Sequence, residues 1–83
     1  MFDFSSLSKF FSLRKEIQKI KEEVEIKGTK VKVNGNFEVE EILLNPSLDE
    51  KTQQKILKKA LNQAFAKIKQ KLFQKIQKDI FQK

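Results

Sequence analysis

The sequence has no histidine, cysteine, tryptophan or tyrosine, one proline and two glycines. Each absence excludes something. Without cysteine there can be no disulfide framework, and without cysteine and histidine no zinc or iron–sulfur centre of the usual kind. The same two gaps remove the commonest general base and the strongest neutral-pH nucleophile, so a catalytic role is not expected. No apolar run approaches the roughly 18 residues of a membrane span. The N-terminal MFDFSSLSKFF carries Asp3 and lacks both a basic leader and a small-residue cleavage site, so a cytoplasmic protein is expected. At 83 residues the chain is one small domain, near the size at which a single core is marginal.

What is present is lysine and periodicity. The formal charge is +7, from 18 basic and 11 acidic residues, and it is unevenly distributed. Residues 1–48 hold eight basic and eight acidic groups and are neutral; residues 49–83 hold ten lysines against Asp49, Glu50 and Asp79. All of the excess therefore lies in the last 35 residues, and a small domain with such a segment is expected to meet a polyanion.

Apolar spacing divides the chain in three. Phe10, Ile17 and Val24 recur every seven residues, with Leu13 and Ile20 on the same face, which predicts a helix over residues 5–23 with Ser5 or Ser6 as N-cap. Residues 24–45 read as a three-stranded antiparallel β-meander. Gly28-Thr29 fits a two-residue type II′ turn that pairs residue 26 with 31 and 24 with 33. A three-residue loop, Asn34-Gly35-Asn36, would pair 33 with 37 and 31 with 39 and bring Phe37 and Val39 onto the apolar face. The alternation slips at Glu40-Glu41, which predicts a β-bulge or a strand end buried on both faces. Asn45-Pro46 stops the strand, and Ser47-x-x-Glu50 reads as a capping box opening a helix over residues 47–82.

That last helix would be about 50 Å long at 1.5 Å per residue. A compact body of this length is only roughly 30 Å across. Its apolar pairs Leu57/Ile68, Leu61/Leu72 and Phe65/Ile76 are each eleven apart, a spacing that favours straight packing over a left-handed coiled coil. Either the helix kinks near Lys69–Lys71 and folds back, or its distal apolar residues, Leu72, Phe73, Ile76 and Ile80, meet a second copy of the chain. A homodimer with projecting helices is the expected outcome. In projection Lys67, Lys71, Lys75 and Lys78 line one flank of the apolar stripe, Lys51, Lys55, Lys58, Lys59 and Lys69 the other, and Gln63, Gln70, Gln74 and Gln77 the face opposite the core. Lysines at this spacing suit phosphates and glutamine amides can reach base edges, so Lys67, Lys71, Lys75, Lys78, Gln70, Gln74 and Gln77 are the candidate nucleic-acid contacts. A single arginine, Arg14, disfavours bidentate guanine readout. Phe10, Phe37, Phe65 and Phe73 fall on apolar faces and are core candidates rather than a stacking platform, and nothing converges on the acidic pairs Glu22/Glu23 and Glu40/Glu41.

The ordered set Met1-Phe2, Val24-Glu25-Ile26-Lys27-Gly28, Val31-Lys32-Val33-Asn34-Gly35, Ile42-Leu43-Leu44-Asn45-Pro46-Ser47-Leu48 and Ala60-Leu61-Asn62-Gln63-Ala64 resembles the YbaB/EbfC family of bacterial nucleoid-associated proteins. The resemblance implies an α+β fold of helix, three-stranded antiparallel sheet and C-terminal helix, a homodimer with projecting arms, and non-catalytic binding of double-stranded DNA at the nucleoid without cofactor or metal. The chain departs from the family in its short Gly28-Thr29 connection, its Leu/Phe-rich first helix and the lack of a flexible tail. Two other readings compete: a protein-interaction module using the distal apolar stripe, and an amphipathic helix on anionic membrane. Against the last, no tryptophan marks an interface.

Overall fold

The computed structural model describes residues 12–81, with side chains as far as Gln77. A helix α1, described over residues 12–18, leads into three strands, β1 (Lys21–Ile26), β2 (Thr29–Asn34) and β3 (Val39–Leu43), and then into one long helix α2 (Glu50–Phe81). The sheet is antiparallel, in the order β1-β2-β3. The fold is thus α+β with the expected element order.

The first helix ends earlier than its spacing predicts. Phe10 and the proposed caps Ser5 and Ser6 lie outside the described residues. At the other end helix gives way to a turn, in which Lys19 N donates to Glu16 O at 3.2 Å and Ile20 N to Ile17 O at 3.0 Å. Lys21–Glu23, read as helical, instead pair with Lys32–Asn34. Sheet pairing supplies their backbone groups with partners, and Val24 belongs to both periodicities at once.

The first turn is also shifted. Ile26 pairs with Thr29 and Val24 with Val31, so Lys27-Gly28 forms the loop and Thr29 begins β2. Both loop residues have positive φ, 49° at Lys27 and 80° at Gly28, as a type I′ turn requires. β-branched Thr29 is poorly suited to a turn and well suited to a strand. The two-residue shift leaves every side chain on its expected face.

The second loop keeps its predicted length but moves by one residue. Asn34 N donates to Glu38 O at 3.0 Å and Phe37 N to Asn34 O at 3.0 Å, enclosing Gly35-Asn36-Phe37. Phe37 sits at φ 59°, the left-handed site usually given to glycine in such loops. It is therefore off the strand and half-exposed, its ring 5.9 Å from that of Phe65. An aromatic contact of about 0.5–1.5 kcal/mol is of the order of the left-handed penalty it offsets. The bulge falls where the alternation slipped: Val33 pairs with Val39 but Lys32 with Glu41, leaving Glu40 extra. The end of β3 is not buried on both faces, since Ile42, Leu43 and Leu44 are all exposed.

α2 is one unbroken helix, without the kink considered at Lys69–Lys71. It starts at Glu50, capped by Asp49 rather than Ser47. Gln53 N donates to Asp49 O at 2.8 Å, and Thr52 N lies 3.4 Å from Asp49 Oδ2. The Thr52 hydroxyl and nearby backbone N–H groups hold the Asp49 carboxyl below its usual range. Ser47 is taken up earlier, its N–H donating to Asn45 Oδ1 at 3.0 Å in a turn around Pro46.

The core lies between α2 and the first two strands. Val24, Val31 and Val33 pack against Ala60, Ala64 and Ile68. The two alanines let the helix backbone approach the sheet closely, and Ile68 fills the space that remains. Gln53 locates the start of α2 over β2: its Nε2 donates to the buried Thr29 Oγ1 at 2.8 Å and its Oε1 accepts from Asn45 N at 3.0 Å. The molecule extends 53 Å along its longest axis and 26 Å across the next, so α2 outruns the sheet as its length predicts.

Candidate nucleic-acid interface

The lysines of α2 do not share one environment. α2 runs alongside β2 in the same direction: Gln53 reaches Thr29 at one end, and Lys71 reaches Lys21, the partner of Asn34, at the other. One flank of the helix therefore faces β1. On that flank Lys71 Nζ is 2.6 Å from Glu22 Oε1 and donates to the Lys21 carbonyl at 3.3 Å, and Lys75 Nζ is 3.8 Å from Glu16 Oε2. Two of the four lysines singled out as phosphate contacts thus already meet carboxylates of their own chain. Lys67 is exposed, and the side chain of Lys78 lies outside the described residues.

The outward face is different. Lys55, Lys58 and Lys59 surround a shallow recess with Asn62, Gln63 and Ala66, and all six are exposed. None of the three lysines has an ion-pair partner among the described residues. Lys51 and Lys69 are exposed as well, and so are Gln70, Gln74 and Gln77. The face most open to a long anion is the outer surface of the proximal half of α2. Sequence projection placed these lysines on the second flank and preferred Lys67, Lys71, Lys75 and Lys78, because it does not show which flank β1 will occupy.

The acidic groups of the sheet serve the fold. Buried Asn34 donates through Nδ2 to Glu40 Oε2 at 2.9 Å and Glu38 Oε1 at 3.2 Å, and its Oδ1 accepts from Asn36 N at 2.9 Å and Glu38 N at 3.3 Å. Lys21 Nζ lies 3.1 Å from Glu40 Oε1. The Asn34 amide first, and Lys21 second, hold the Glu40 carboxyl below its usual range. Asn34 is thus the organiser of the β2–β3 loop, a role the Asn-Gly dipeptide only hinted at. Glu23 pairs with Lys30 across β1 and β2. Among the described residues no group of three or more acidic side chains converges to hold a metal ion.

The predicted dimer contacts divide. Leu72 packs against the edge of the core of its own chain, whereas Phe73 and Ile76 are 61% and 56% exposed. The Ile80 side chain lies outside the described residues. No described helix is long and apolar enough to cross a membrane. Comparison with known proteins finds no matching family model, no similar curated protein and no similar solved structure.

Proposed function

We propose that the chain binds double-stranded DNA as a homodimer, without catalysis and with little sequence preference, in the manner of the nucleoid-associated proteins its sequence resembles. The observation that carries the reading is the segregation of charge. All of the net +7 lies in residues 49–83, and the helix there turns an exposed, unpaired lysine face outward. Rigid helical spacing repeats those ammonium groups along a line, as a phosphate backbone repeats its charges. Asn62 and Gln63 between them can donate to sugar or phosphate oxygens. Lys55, Lys58 and Lys59 supply the main contacts, Lys51, Lys67 and Lys69 add to them, and Lys71 and Lys75 add less because Glu22 and Glu16 already occupy them. The nucleoid is the corresponding location.

The test is a pair of variants titrated on a duplex of about 30 base pairs. Replacing Lys55, Lys58 and Lys59 with Gln should weaken binding at every sequence and flatten the slope of log K against log[salt] by about 2.7, at 0.9 per phosphate contact. Replacing Lys71 and Lys75 should flatten it less. Unchanged affinity in the triple variant contradicts the assignment.

A further inference from the structure

In an open chain, asparagine followed by glycine readily loses its side-chain amide. Glycine has no Cβ to keep its backbone nitrogen away from the preceding side chain. The Asn34-Gly35 pair carries that liability, yet the fold requires both residues. Asn34 is 2% exposed, and its carboxamide makes the four hydrogen bonds that organise the β2–β3 loop. Gly35 is buried as well, and a Cβ there would run into the Ile17 carbonyl and its Cγ2 methyl group. Glycine is needed because α1 approaches the loop so closely.

The same contacts hold the reaction off. The nucleophile would be the Gly35 nitrogen, which must give up its proton. Gly35 N donates to Ile20 O at 2.8 Å, in the turn that joins α1 to β1. A carbonyl oxygen accepts that hydrogen bond but does not take the proton. Ring closure also makes Cγ of Asn34 tetrahedral, which draws Oδ1 and Nδ2 away from partners placed for a planar amide. Burial keeps out the water that would carry the proton away.

We propose that Asn34 is a deamidation site governed by the docking of α1 on the β2–β3 loop. When the Ile20–Gly35 hydrogen bond opens, the Gly35 nitrogen loses its proton to water and attacks Cγ. The N–Cγ bond forms, the Cγ–Nδ2 bond breaks, and ammonia leaves. Water then opens the succinimide at either carbonyl, giving aspartate at position 34 or isoaspartate, whose main chain runs through Cβ. No electrons are transferred. Either product puts a carboxylate where the amide donated to Glu40 Oε2 at 2.9 Å and Glu38 Oε1 at 3.2 Å. Lys21 alone among the described residues is ion-paired to that group, so like charges oppose re-closure of the loop. Isoaspartate also lengthens the backbone where residue 34 pairs with Lys21. A transient opening is thus recorded as a permanent change. The proposal does not depend on DNA binding.

The test follows the full chain by peptide mass spectrometry, in native buffer and in concentrated urea at the same pH. In urea Asn34 should convert before Asn36, Asn45 and Asn62. In native buffer its conversion should be slower by about 100-fold or more, because only the opened fraction reacts. That slowing should match the hydrogen-exchange protection of the Gly35 amide to within about threefold, since both report the same opening. Ile17→Ala should loosen α1 and raise Gly35 exchange and Asn34 conversion together, with Val31 exchange unchanged. If that variant does not fold, the match between the two wild-type rates still decides. Asn34→Asp, the product with the ordinary main chain, should melt at a lower temperature than the wild type. Equal conversion in buffer and urea, or native conversion far faster than Gly35 opening, overturns the proposal. So does earlier conversion of another asparagine in urea, and an unchanged Tm for Asn34→Asp overturns the permanent record.

Discussion

β2 and β3 are adjacent strands of one sheet, both with β-branched residues toward the same side, and their fates differ. Val31 and Val33 are fully buried, while their cross-strand partners Ile42 and Val39 are not. The difference lies in the position of the roof, not in the strands. Ala60, Ala64 and Ile68 bring α2 down on β1 and β2, and Gln53 fixes its start above Thr29. Burial in this domain is set by where the helix lands: a helix about 10 Å across, running along strands about 4.8 Å apart, covers roughly two of them.

The sharpest way to break this comparison is to shorten one side chain in each region. Ile68→Ala removes a fully buried side chain beneath which little can collapse and should cost about 2–5 kcal/mol in urea unfolding. Ile42→Ala, in protein dilute enough to stay a single chain, should cost about 1 kcal/mol or less. Equal losses would mean that β3 is roofed in solution. Next in size is the tie that positions the roof. Gln53→Ala leaves the buried Thr29 hydroxyl and the Asn45 N–H without their partners and should cost about 1–3 kcal/mol. Thr29→Val made together with it should recover part of that loss, because the unsatisfied hydroxyl is then gone.

The smallest effect concerns the loop at the uncovered edge. Folding lowers the Glu40 carboxyl pKa, so its contribution is complete above the ordinary carboxylate value and disappears as pH falls through that value to the lower folded one. Tm of the wild type should exceed that of Glu40→Gln slightly at pH 7, and the two should converge near pH 3. A gap that widens on acidification would contradict the assigned sign.

Much of this was legible from residue order. Element types, the odd-length second loop and the basic helix follow from local spacing and turn chemistry, whereas the bulge at Glu40 and the continuity of α2 were each one of two alternatives that local spacing left open. Errors cluster where two local signals overlap. The seven-residue repeat through Val24 carried the first helix into β1, because a residue shared by a helical and an alternating pattern does not show which period it obeys. Gly28 admits turns centred on either side of it, and Asp49 competes with Ser47 as cap. The site was harder still. Which lysines stay free depends on which flank of α2 meets Glu22 and Glu16, a tertiary fact that projection on a wheel does not contain. The exposure of β3 was illegible for the same reason, since Val39 and Ile42 look like core in every local pattern.

The central claim is that the outward lysines of α2 engage a phosphate backbone, and a salt titration of duplex binding tests it most directly. With about six phosphates neutralised, log K should fall with log[salt] at a slope of about −5, nearly independent of duplex sequence. A flat titration, or no duplex binding even at low salt, would contradict the account.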